Sequence, residues 1–142
     1  MAPLNRQKIL VPVDFSEESL QAVDVALEIA EQVGDVHVVH VLRETQSSYP
    51  DAVLKSIDHA KYRNHILAEL RKVLPGDNYK DLTLHVEFGD AGYRISDLAS
   101  TLHVGMIVIP SHGRRGMQRL LIGSVAERVV RLAHCPVLVL RK

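Results

Sequence analysis

Five short apolar runs alternate with stretches of helical periodicity, and this alternation restricts the chain to an α/β architecture built on a parallel sheet. The runs are Ile9 to Val13, Val36 to Leu42, Leu82 to Phe88, Met106 to Ile109 and Val137 to Leu140. The first, fourth and fifth carry no polar side chain, as expected of strands covered on both faces. The second and third contain His37, His40, His85 and Glu87, which places them nearer an edge or less deeply buried.

Between the runs the helices have recognisable starts and stops. The first is expected from Ser16, with Glu17 and Glu18 in its first turn, to Gly34, burying Leu20, Val23, Leu27 and Ala30. A polar stretch from Arg43 to Tyr49 leads through Pro50 and Asp51 into a long helix containing Val53, Ile57, Ala60, Leu67, Leu70 and Leu74, which Pro75 and Gly76 end. A third fits Gly92 to Leu102, with Ile95, Leu98 and Leu102 on one face and Gly105 before the next strand. The last fits Ser124 to Ala133, with Val125, Val129 and Leu132 inward, until Cys135 and Pro136 break it. No repeat or linker interrupts the pattern, so residues 1–142 read as one domain.

Composition narrows the partners. The formal charge is zero, so nothing electrostatic calls for a nucleic acid or a membrane surface. No run approaches the roughly 20 apolar residues of a membrane span. Cys135 stands alone, which excludes an internal disulfide framework, and its place before Pro136 at a helix-to-strand turn reads as packing rather than redox sensing. The N-terminal region lacks a secretory pattern, and a cytoplasmic location is expected.

The chemistry gathers near the end of the sequence. Ser111, His112 and Gly113 follow an apolar strand, and Gly123 and Ser124 open a helix; such a loop holds an anion, because free N–H groups and the helix dipole converge there. Arg114, Arg115 and Arg119 lie in the same loop and suit phosphate oxygens. Ser124 and Glu127 also stand at capping-box spacing, and from these residues alone a plain helix cap is the simpler reading. Asp14 ends the first strand, where it can either accept hydrogen bonds from a base or ribose or cap the following helix.

Sharper motifs are absent: no P-loop lysine, no G-x-G-x-x-G after the first strand and no nucleophile elbow. The eight histidines show no paired metal-ligand spacing. His112 is the one histidine inside the glycine loop, and a structural hydrogen bond is the simpler role for it.

With these residues in view, the chain resembles the universal stress protein family. The likeness runs from Lys8 through Asp14, across Val38 to Val41 and Phe88 to Asp90, and from Ile107 to Leu140. It implies an open, Rossmann-like five-stranded parallel sheet of order 3-2-1-4-5 between helices, with Asp14 and the glycine loop flanking one crevice. By resemblance to the ATP-binding branch, Pro12, Asp14, Val41, Ile109, Gly113, Gly123, Ser124 and Val125 should line a nucleotide site. The family's phosphate motif is Gly, two residues, Gly, nine residues, Gly, then Ser or Thr. Here Pro110 stands in the first glycine's place, with no N–H to donate and φ held near roughly −65°.

The implied function is a stress-response protein that binds ATP or a related adenine nucleotide, with Mg²⁺ only if the nucleotide is bound. Slow ATP hydrolysis is the most catalysis that the residues allow. The alternative is a module that binds no nucleotide and acts as a homodimer, joined through Val137 to Leu140 as an apolar edge strand.

Overall fold

The computed structural model describes residues 8–43, 52–113 and 121–141. Five parallel strands form one sheet in the order β3-β2-β1-β4-β5: β1 Ile9–Pro12, β2 Val36–Leu42, β3 Thr83–Phe88, β4 Met106–Pro110 and β5 Val137–Leu140. Four helices cross between them: α1 Glu17–Ile29, α2 Ala52–Val73, α3 Ala91–Leu102 and α4 Ser124–Leu132. The expected fold class and strand order are both observed.

Strand alternation divides the interior into two cores. Ile9, Val11, Val36, Val38 and Val108 face Ala22, Val23 and Ala26 of α1 and Leu70 of α2. On the opposite face Leu10, Val39, Ile107 and Ile109 meet Ile95, Leu98 and Ala99 of α3 and Ala126 and Val129 of α4. Ile9, Leu10 and Val11 are fully buried, each burial stabilising the fold by about 1.5–3 kcal/mol, which fixes β1 at the centre.

The helix boundaries depart from the sequence reading in instructive ways. Ser16 does cap α1, its side chain accepting from the Ser19 N–H, but the helix ends at Ile29 and a short 3₁₀ turn, Val33–Asp35, takes up the residues before β2. Its buried face is Ser19, Ala22, Val23 and Ala26, while Leu20, Leu27 and Ala30 are only half-buried at its flank. Leu70 in α2 and Leu74 just past its end are buried as expected, and Ala60 is exposed; the side chains of Val53 and Ile57 lie outside the described residues.

The segment from Phe88 to Asp90 has a plain structural role. Gly89 adopts φ of 131°, a conformation side chains resist, and Asp90 then caps α3 by accepting from the Tyr93 N–H at 3.0 Å. The third helix ends at Leu102, as expected, and His103 closes it in the left-handed conformation.

Two strand expectations need correction. β2 is an interior strand whose first four residues are buried, His37 among them, whereas β3 is the edge that its polar residues indicated. β5 is not covered on both faces: it forms the other edge, half-exposed, with Leu138 at 36% exposure. An apolar run of four residues reads as a covered strand wherever it stands in the sheet. Cys135, just before β5, is half-buried, and burial pushes its thiol up, with a backbone hydrogen bond from Ile107 partly opposing this.

Candidate functional site

The strand order reverses at β1, whose neighbours are β2 and β4, and a crevice opens beyond the carboxyl ends of β1 and β4. β1 and β4 pair only at Ile9 with Met106 and Leu10 with Ile107, then part. The cavity between them has a volume of about 370 Å³. Its lining includes all eight residues named from the sequence: Pro12, Asp14, Val41, Ile109, Gly113, Gly123, Ser124 and Val125. Arg114, Arg115 and Arg119, expected at the same loop, lie outside the described residues.

Asp14 is held by the turn into α1. Its Oδ1 accepts from both the backbone N–H and the hydroxyl of Ser16, and its own N–H donates to Ser19 Oγ at 3.3 Å. The carboxylate therefore braces the cap as well as facing the cavity, so the two sequence readings of Asp14 are not exclusive. Phe15, next in the chain, has φ of 65°, unusual for a bulky residue and a sign of local strain.

His40 stabilises that strained turn from β2. Its Nδ1 lies 2.7 Å from the Val13 carbonyl, and since a carbonyl only accepts, Nδ1 carries the proton. Its ring meets Phe15 edge-on, with centroids 4.8 Å apart. The sequence pointed to neither Phe15 nor His40 as a support for the site; the one signal was their chemistry, an aromatic and a histidine beside residues already singled out.

Across the crevice, Gly123 is the N-cap of α4, with no side-chain capping bond. This overturns the capping-box expectation. Ser124 is the first helical residue, exposed, and the Glu127 carboxylate pairs with Arg131 instead of reaching back. The Gly123 N–H already donates to the Ser111 carbonyl, which leaves the N–H groups of Ser124, Val125 and Ala126 as the orphan donors of the first turn, at the cavity wall. Val125, expected inward, is 40% exposed and faces the cavity mouth, while Ala126 and Val129 take the buried positions.

Both glycines are demanded by close approach. A Cβ on Gly113 would stand 2.6 Å from Asp14 Oδ2, and one on Gly123 would stand 3.0 Å from the Ser111 carbonyl oxygen. Ser111 is buried, with its hydroxyl 3.1 Å from His112 Nδ1, so that histidine nitrogen serves the loop itself.

Pro110 fits the strand for a reason the sequence does not display. The N–H groups of Ile107 and Ser111 donate toward β5, to Pro136 and Leu140, so by alternation the nitrogen of residue 110 faces the crevice where β1 has departed. A proline there breaks no ladder bond. It gives the crevice a buried ring and withholds a donor.

The universal stress protein family model matches residues 5–141. The chain belongs to the universal stress protein family. A universal stress protein of Methanocaldococcus jannaschii, MJ0531, is 32% identical over 144 residues, covering 96% of this chain and 82% of its own. The solved universal stress protein UspA from Lactobacillus plantarum superposes with a TM-score of 0.75 at 26% identity, covering 96% of this chain and 98% of its own. A universal stress protein solved in complex with cAMP shares the fold at a TM-score of 0.58 and 20% identity, covering 94% of this chain and 96% of its own. No described helix of this universal stress protein is long and apolar enough to cross a membrane.

Proposed function

We propose that the crevice binds ATP or a related adenine nucleotide and that occupancy changes the protein's interactions in a cytoplasmic stress response. The observation that carries this reading is the opposition, across one cavity, of the Asp14 carboxylate and the free first-turn N–H groups of α4. The carboxylate suits hydroxyl and amine donors of a nucleoside; the helix end suits the anionic phosphates. Pro12, Val41 and Ile109 supply apolar wall between the two. The cAMP complex of a protein with this fold supports the adenine-nucleotide class.

Among the described residues no group of three or more His, Cys, Asp or Glu is placed to hold a metal ion, so Mg²⁺ would arrive with the phosphates. The reading is of a binding protein, with no assigned turnover. Native mass spectrometry of protein taken directly from cells, followed by titration with a fluorescent ATP analogue, tests it. Retained nucleotide and saturable binding are expected; no binding at millimolar analogue rejects it.

A second reading rests on β5. Its half-buried apolar residues and the exposed Leu138 present a strand edge that pairs with no other described strand to a second copy. As a homodimeric interaction module through Val137 to Leu140, the protein would need no ligand. Sedimentation of the wild type and of Leu138→Lys separates the cases: a concentration-dependent dimer lost in the variant supports this reading, and a monomer throughout rejects it.

A further inference from the structure

His37 and His85 are 48 residues apart in sequence, yet Nδ1 of one lies 2.8 Å from Nε2 of the other. Their ring centroids are 5.1 Å apart and their planes differ by 15°. With those two distances both nitrogens must lie on the line joining the ring centres, so the rings meet edge to edge and nearly in one plane. That is a near-linear N–H···N bond, one ring donating and the other accepting.

Among the described residues, the bond ties an edge strand to its one strand neighbour. His85 sits opposite Val39 in the register of β3 on β2, and no described strand lies on the other side of β3. Each ring titrates near neutrality when free. A first added proton leaves the bond intact, because a charged imidazole still donates to a neutral one. A second proton places N–H against N–H between two like charges, and the bond is lost.

We propose that the His37–His85 pair is an acid-sensitive latch that holds edge strand β3 to β2 and releases it when both imidazoles are charged. The latch is independent of whatever the crevice binds. Lys8 and Asp35 act on His37 from the ends of β1 and β2, with opposite signs, and Glu87 acts on His85 from β3 itself. The helix packed on this face, α3, carries Tyr93, Arg94, Asp97 and the cap His103, all exposed or half-buried. Burial holds both imidazoles below their ordinary value, so the neutral pair is the resting state.

Amide hydrogen exchange of the full chain, corrected for intrinsic rates, is the test. On acidification from about pH 7.5 to the point where NMR shows both imidazoles charged, the amides of Thr83, His85 and Glu87, which by alternation back from the Gly89 N–H face β2, should lose protection about tenfold more than those of β1, and His85→Gln, which does not titrate, should abolish the difference. Unchanged β3 protection, an equal loss in β1, or the same loss in His85→Gln would overturn the proposal. Should His85→Gln fail to fold, imidazole nitrogen NMR of the wild type decides: coupled titration of the two rings supports the latch, and two independent, ordinary titrations reject it.

Discussion

Asp14 Oδ2 stands 2.6 Å from the point a β-carbon on Gly113 would occupy, so the acid of one crevice wall and the glycine of the other fix each other's position. Oδ1 is already committed to Ser16, which limits how far the carboxylate can swing aside. Gly113→Ala is therefore expected to displace Asp14 and weaken nucleotide binding by about tenfold, the effect of one hydrogen bond. Gly113 has no left-handed φ, so the loss of thermal stability should be that of the disturbed Asp14–Ser16 brace, about 0.5–2 kcal/mol. Analogue titration beside thermal melting separates the two effects.

Pro110→Gly restores an N–H aimed into the crevice. A hydrogen bond to a charged group is worth about 1.5–3 kcal/mol, so nucleotide affinity should rise by about tenfold or more. The same change frees the unfolded chain and should cost about 0.5–1 kcal/mol of stability. Unaltered affinity would show that residue 110 does not meet the phosphates.

The two residues at the start of α4 should behave oppositely. Ser124→Ala removes no cap and is expected to leave stability within about 0.5 kcal/mol, where a true N-cap would cost about 1 kcal/mol. Gly123→Ala presses a Cβ toward the backbone of Ser111 and His112 and should destabilise by about 1–3 kcal/mol. Denaturant midpoints of both variants read this directly.

The sign of the pH dependence follows from the buried histidines. His37 and His85 are held below 6.5, mainly by burial, so as pH falls past that value the unfolded chain binds protons that the native pair refuses. Their contribution to stability is full above about pH 6.5, declines on acidification through the lowered native values, and is flat beyond them. Urea unfolding along a pH series should show this decline, and His37→Asn combined with His85→Gln should flatten it.

Much of this was legible in the sequence because it depends on local pattern. Alternating runs gave the strands, and Asp14, Gly113 and Gly123 came together because each ends or begins an element at the same edge of the sheet. The His37–His85 bond was not legible, since it depends on the register of two strands separated by a long helix. Ser124 and Glu127 fit a capping box equally well on paper; what displaced it was Gly123 packing against the Ser111 carbonyl, a tertiary contact. The early end of α1 also escaped: Gly34 resembles a helix stop, but the chain leaves the helix at an extended Ala30.

The orientation of the Pro110 nitrogen carries one more consequence. Because the sheet takes no hydrogen bond from residue 110, the fold exerts little selection on whether a donor is present there. On the proposed reading, a change at this position alters what the crevice offers a ligand while breaking no bond of the sheet around it.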